Sequence, residues 1–422
     1  MKLGEGKEFP CKYMMDYKKE NIERLRQYFM DGCKDLSKPL TMGLELEHFI
    51  VKKDTKESVS YYGECGVEAL LKRLMPNYSQ SAYSEGHLIG LGREDLAVSI
   101  EPAAQLEVSI SPQVDGRRIQ QIYDQFLAEI TPILLEWGYE LVTVGYQPKS
   151  KVEELDLIPK NRYRFMKDYF DKISPYGQYM MKGTAATQVS IDYYSEEDFS
   201  NKYKIAYALY PILALLCDNM VYFEGEENKE SVMRMKIWDH VDNARVEVEP
   251  YLNEGSIDFK SYAEFVYSTP LIVQKEKEGD IATTKSASEL YANRLISTED
   301  IEHILSMVFP IIRLKHYLEL RVADSMPLGS VYAYLLLIKG LFADITRVKN
   351  YVDELVLNHP NWTKELLTVI RAEGIDGQLY HHKVRDIVID LYGMILGNLN
   401  DPEVAYLEEY KKGIINKGSL LL

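Results

Sequence analysis

Two glutamates one residue apart sit inside the apolar stretch GLELEHF, residues 43–49. In a strand, residues i and i+2 share a face. Glu45, Glu47 and Phe49 then lie on one side, and Leu44, Leu46 and His48 on the other. A carboxylate taken out of water is costly unless it is paired or holds a metal. The same alternation returns three times. In EPAAQLEVSIS (101–111), Leu106, Val108 and Ile110 oppose Gln105, Glu107 and Ser109. In TQVSIDY (187–193), Val189 and Ile191 oppose Gln188, Ser190 and Asp192. In YLELRVAD (317–324), Leu318 and Leu320 oppose Glu319 and Arg321. A sheet with one solvated face alternates in this way, but such a face draws a mixture of Lys, Glu, Thr and Ser. Here the polar side is Glu with Gln and one Arg. Glu45, Glu47, Glu107 and Glu319 on one concave face would repel each other, and a cation offsets that repulsion. Hard oxygen donors without a His or Cys cluster point to Mg²⁺ or Mn²⁺. Mg²⁺ takes one or two carboxylates and fills its shell with water and phosphate oxygens, which suits a multi-metal nucleotide site. Alternation alone leaves both the solvated face and the metal face standing. A nucleotide would be held through metal and arginine, because GLGRED (90–95) is too short and charged for a phosphate loop and no P-loop or Rossmann fingerprint is present.

The elements that must position these side chains follow from periodicity and capping. An amphipathic helix is expected over 17–34, a strand over 41–52 and a helix from Gly66. Residues 96–111 read as one strand, 114–137 as a long helix and YELVTVGY (139–146) as a strand. The Lys-, Arg- and Tyr-rich segment 149–178 reads as a long functional loop containing a helix. A strand at 184–193 precedes a helix announced by SEED from Ser195. A further strand is expected near 315–322, and from Leu328 onward the pattern is helical. The fold class is α+β, an antiparallel sheet with helices on one side.

Composition narrows the function. With 422 residues and 46% hydrophobic residues, the chain can bury a large core. Its 65 acidic against 49 basic residues, a net charge of −16, exclude non-specific nucleic-acid binding but allow a local basic pocket. Cys11, Cys33, Cys65 and Cys217 form no metal-like spacing and read as reduced thiols of a cytoplasmic protein. The N-terminal MKLGEGKEFPCKYMM has no apolar signal-peptide core. The longest apolar run, Ala206–Cys217, is broken by Asp218 and Asn219, short of the roughly 18–20 residues that span a bilayer. No membrane association is expected.

GLELEHF, EPAAQLEVS, NRYRFM (161–166), GTAATQVSIDY (183–193), the series Ser231, Arg234, Trp238, Asp242, Arg245, and FPIIRLKHYLELRVAD (309–324) occur in this order. Together they resemble the plant/proteobacterial-type glutamate–cysteine ligases, family 2, over residues 41–325. The resemblance implies a glutamine-synthetase-like fold: a curved antiparallel sheet forming a funnel, with helices outside. It implies residues 1–40 as an N-terminal helical segment, 41–325 as the ligase body and 326–422 as a helical region packed on it, in a monomer or homodimer. It also implies ATP-dependent joining of L-glutamate to L-cysteine or another small amine through a γ-glutamyl phosphate; the alternative of another class is a non-catalytic nucleotide-binding protein that keeps the same fold. Carried over residue by residue, Glu45, Glu47, Glu107 and Glu319 would hold Mg²⁺ or Mn²⁺, with Arg321 and Glu319 catalytic. Glu101 and Arg321 would face the nucleotide, and Arg162, Arg234, Gln105, Gln188 and Arg245 the substrates. Arg164 competes with Arg162 for that role, and Arg245 is equally readable as a structural partner of Asp242. Trp238 and His48 read as packing residues. Gly183, Ala185 and Ala186 depart from the pattern of many relatives, which leaves the amine donor open. The four cysteines match no regulatory disulfide of the plant enzymes. No second ligase domain is expected.

Overall fold

The computed structural model describes residues 16–253, 256–277, 279–357 and 364–422. Cys11 lies outside them. Nine strands make the principal sheet: β1 Met42–Lys52, β2 Gln80–Ser84, β3 His87–Gly92, β4 Leu96–Ile100, β5 Leu106–Gln113, β6 Tyr139–Val142, β7 Ala186–Ile191, β8 Ile312–Leu314 and β9 Leu318–Asp324. Their order is β8-β9-β7-β1-β5-β4-β3-β2, and every pairing is antiparallel. One edge of β1 is shared. β7 pairs with Met42–Leu46, and β6 pairs with Phe49–Lys52.

Alternation decides which face is dry. Leu44, Leu46 and His48 are at most 3% exposed and face the helix Gly116–Glu136, which begins at the Asp115 cap. His48 bridges the carbonyl of Leu106 (3.0 Å) and the hydroxyl of Tyr123 on that helix (2.5 Å). Burial drives its pKa down to about 4, so it is a neutral packed histidine. Each buried leucine contributes roughly 1.5–3 kcal/mol through removal from water. Phe49 turns to the opposite face and closes it with Val51 and Ala185 in a small separate apolar cluster.

Three expected elements differ. The strand expected over 139–146 stops at Val142. The stretch 96–111 is two strands, because the turn Glu101–Ala104 interrupts it. Pro102 has no N–H to give a ladder, Ala104 takes a left-handed φ of 70°, and Glu101 N–H donates to Gln105 C=O. The strand expected from 315 begins instead at Leu318 and is preceded by β8, its hairpin partner. The capped helix at Ser195 runs Glu196–Leu216, with Ser195 Oγ accepting from Asp198 N–H, and packs on β9. It contains the longest apolar run, and among the described residues no single helix is long and apolar enough to cross a membrane. In the C-terminal region, Leu328–Phe342 packs against Val384–Leu396, Asp401–Lys412 and the helix Gly116–Glu136.

Two arginines expected to meet substrate serve the fold. Arg234 is 3% exposed, and its Nε donates to Asp324 Oδ1 at 2.7 Å. Its other end donates to the carbonyls of Arg321, Val322 and Ala323. It therefore clasps the end of β9 and does not line the cavity on the polar face of the sheet. Arg245 is wholly buried between Asp242 Oδ2 (2.7 Å), the Met307 carbonyl (2.8 Å) and the ring of Tyr169. Removing one partner of a buried pair strands the other, which costs about 3–5 kcal/mol. The substitution Arg234→Ala is therefore expected to lower unfolding free energy by that amount in urea titration. Full stability with weakened glutamate binding would restore its substrate role.

Candidate active site

The polar face of the sheet opens into a cavity of about 550 Å³. Strand register builds one wall from carboxylates. Glu47 on β1 stands directly opposite Glu107 on β5, and Glu45 stands opposite Gln188 on β7. Glu101 reaches the same cavity from the turn before β5. Each carboxylate has its own surroundings. Glu47 accepts from Ala186 N–H (2.8 Å) and Gln188 Nε2 (2.9 Å), and Glu107 accepts from Ser99 Oγ (2.7 Å). Among the described residues, Glu101 takes only a long contact from Tyr163 Oη (3.5 Å). Like charges directly across a ladder destabilise it. Burial, then Glu319 and Glu107, push Glu45 up to about 8. Burial, then Glu101 and Glu107, push Glu47 up to about 8, and burial with Glu101 raises Glu107 to about 7.

The opposite pole is cationic. Glu319 is 0% exposed and sits among Arg313, Lys315 and Arg321. Arg313 forks it with Nε at 2.6 Å and Nη2 at 3.0 Å, Arg321 reaches it at 3.2 Å and Lys315 at 3.4 Å. Burial alone would raise the Glu319 pKa, but Arg313, Lys315 and Arg321 outweigh it and hold the carboxyl well below the usual range. Glu319 is thus an anion sealed under three cations. A metal ion there would meet three positive charges and occupied oxygens, so the expectation that Glu319 is a metal ligand is corrected. Its task is to hold the cations.

Arg321 is gripped on three sides: Glu319, Gln188 Oε1 (2.6 Å) and the face of Trp238, 5.5 Å from guanidinium carbon to ring centroid. Trp238 lines the cavity and does more than fill the core. Arg162 also lines it, anchored by Ser306 through the hydroxyl (3.1 Å) and the carbonyl. Arg164 points away, exposed, to Glu85 and Asn161. Gln105 is 3% exposed and fully used: it accepts from Ala103 N–H and donates to the carbonyls of Met181 and Thr184. It ties the Glu101 turn to the π-helical turn Tyr179–Gly183 and is not a free substrate donor. In that turn, Gly183 has no room for a side chain, since a Cβ would meet the Tyr146 ring at 2.3 Å. Ala186 contributes only its backbone N–H.

Sequence reading missed Arg313, Lys315, Lys160, Tyr163 and Tyr317, all of which line the cavity. For Arg313 and Lys315 a signal existed: they alternate with Ile312 and Leu314, as strand residues do. Lys160 precedes a helix start and carried none.

The carboxylate wall fits a divalent cation in one way and not in another. Among the described residues, no group of three or more His, Cys, Asp or Glu side chains forms a ready-made metal cage. The wall instead offers separate, mutually repelling carboxylates, and Glu45 has no hydrogen-bond donor or ion-pair partner among the described residues. That matches Mg²⁺ bound through one or two carboxylates with phosphate and water completing the shell. Glu45, Glu47 and Glu107 are the residues that would hold it.

The raised pKa values set a pH dependence. Above pH 4.5 the unfolded chain releases these protons, while the folded chain keeps them until about pH 8. The metal-free protein therefore loses stability as pH rises through this window. Between pH 7 and 8, where His48 is mostly neutral in both states, melting temperature is expected to fall, and Glu45→Gln to flatten the slope. A slope unchanged by Glu45→Gln would contradict the assignment.

Comparison with known proteins places the chain in a family. The sequence pattern of Glutamate-cysteine ligase family 2 matches residues 41–410. The chloroplastic glutamate–cysteine ligase B of Oryza sativa subsp. japonica is 27% identical over 403 residues, covering 92% of this chain and 80% of that protein. The chloroplastic enzyme of Arabidopsis thaliana is 29% identical over 340 residues, 78% and 64% of the two chains. A crystal structure of glutamate–cysteine ligase from Francisella tularensis, in complex with AMP, shares the fold with a TM-score of 0.54. It does so at 12% identity, over 91% of this chain and 84% of that one. The matched region runs well past residue 325, through the C-terminal helices, and the chain belongs to glutamate–cysteine ligase family 2.

Proposed function

We propose that this pocket joins the γ-carboxylate of L-glutamate to the amine of L-cysteine, converting ATP to ADP and phosphate by way of γ-glutamyl phosphate. The observation that carries this reading is the two-pole cavity, with ionisable carboxylates on β1 and β5 facing fixed cations on β8 and β9. Family membership supports it. In the first step a γ-carboxylate oxygen attacks the γ-phosphorus and the bond to the ADP oxygen breaks. In the second, the amine, which has released one proton from its ammonium form, attacks the acyl carbon through nitrogen, phosphate leaves with the bonding pair, and the nitrogen releases a second proton and keeps one as the amide N–H. Neither step needs a protein nucleophile, because the acyl phosphate is the activated species. Phosphoryl transfer asks for positioning and charge stabilisation.

Arg313, Lys315 and Arg321 supply that charge without reorganising, since Glu319 already holds them. Arg162 keeps N–H groups beyond the two that Ser306 takes, and a guanidinium fork suits the glutamate α-carboxylate. Lys160, whose charged form is disfavoured by burial and supported by Glu101, stands next to it on the same wall. Mg²⁺ bound at Glu45, Glu47 and Glu107 would neutralise the phosphates of the nucleotide. Met166, Met180, Met181 and Phe309 give the cavity an apolar side for the non-polar parts of its ligands. The free thiols Cys33, Cys65 and Cys217 suit a reducing, cytoplasmic setting.

The direct test is ADP release from Mg·ATP and L-glutamate, with and without L-cysteine, and the product mass. Cysteine-dependent ADP with γ-glutamylcysteine is expected. ADP release only with a different amine would move the donor and keep the acyl phosphate; no release with any amine would overturn the enzyme reading. Glu47→Gln is expected to lower kcat by about 10²-fold or more, on the scale of losing a charge-stabilising group, with the melting temperature maintained. Full activity would remove Glu47 from the site.

A further inference from the structure

Gln188 lies on β7, the strand between the two poles: β1 with its carboxylates on one side and β9 with its cations on the other. It is 4% exposed. Its amide spans the gap. Nε2 donates to Glu47 Oε1 at 2.9 Å, and Oε1 accepts from Arg321 Nη1 at 2.6 Å. The orientation follows from the neighbours. A flipped amide would set its oxygen against a carboxylate and its NH₂ against a guanidinium, both repulsive. Glutamine is the side chain that satisfies both at once. A glutamate would bind Arg321 and repel Glu47. An apolar residue of the same length would release both. Because both ends are engaged, Gln188 has little left to offer a ligand, and the expectation that it binds substrate gives way to another role.

We infer that Gln188 is a positioning residue that locks Glu47 and Arg321 at a set separation, so that the carboxylate wall and the phosphoryl-stabilising cation face one ligand in register. This deepens the ligase reading of the same pocket and rests on it for its kinetic consequence. The other supports of each partner are incomplete. Glu47 has Ala186 N–H, and Arg321 has Glu319 and the Trp238 face, but among the described residues only Gln188 hydrogen-bonds to both. A misplacement of about 1 Å in such a constellation can lower a rate about 10²-fold.

The test uses Gln188→Met and Gln188→Glu in the full chain, with steady-state kinetics and a crystal structure of each. For Gln188→Met the expected result is a kcat lower by about 10–10²-fold, KM for ATP and glutamate within about threefold, and Arg321 or Glu47 displaced. Gln188→Glu is expected to keep Arg321 in place and turn Glu47 away. It serves as the second arm if the methionine variant does not fold. A kcat within about twofold of the parent, or a loss confined to KM, would overturn the positioning role. Unmoved Arg321 and Glu47 side chains would overturn it whatever the activity. If the unmodified protein turned over no substrate, the ligase reading would fail while the two crystal structures still judged the positioning claim.

Discussion

A single buried carboxylate makes the cationic half of this site possible. Glu319 is sealed from solvent, and Arg313, Lys315 and Arg321 close on it from three directions. Three cations gathered without an anion would repel each other and stay hydrated on long, mobile side chains. With Glu319 beneath them, part of their charge is cancelled and their geometry is held by a forked ion pair. The remaining positive charge points into the cavity. Burial of ions is costly unless every group is paired, and here the pairing is arranged so that the surplus falls on the ligand side.

The opposite wall carries the reverse imbalance. Glu47 and Glu107 are forced together by the β1–β5 register, and Glu45 adds to them from the same strand. The protein partly relieves Glu47 through Ala186 N–H and Gln188, and Glu107 through Ser99. Glu45 receives no such donor. A sheet can maintain this tension because its other face is a dry core of Leu44, Leu46, Leu106, Val108 and Ile110. A one-residue slip would carry a strand's whole apolar set to the polar side, so the core that stabilises the sheet also fixes which carboxylates meet. Behind β9, Arg234 and Asp324 pin the strand end that carries Arg321.

Local physics made much of the fold legible. Period-two alternation located β1, β5, β7 and β9, and the Ser195 cap marked a helix start. The split at Glu101–Ala104 was harder to see, because apolar alternation resumes at once on the far side of Pro102. The hairpin β2–β3 was missed, since Gln80–Ser84 is an exposed edge strand without an apolar stripe. Within the site, the carboxylates were legible for their oddness inside apolar runs. The arginines were legible only in part: Arg162 and Arg321 line the cavity, Arg234 and Arg245 do not, and Arg313 was missed. Nothing in MRMKIW says that Arg234 will find Asp324 ninety residues on, or that Ser306 will orient Arg162.

The sequence by itself determined which residues face each way along each strand, and hence that several carboxylates share a face that is not core. It also determined, through motif order, the family. Tertiary structure alone decided which charges neighbour which. Glu319 and Glu45 have the same residue type and the same strand-face setting in sequence, yet Glu319 is enclosed by three cations, while Glu45 stands opposite Ser109 and Gln188 with no ion-pair partner among the described residues. The reason is that pairing depends on strand order and register, set by contacts between segments far apart in the chain, whereas alternation is a property of each segment alone.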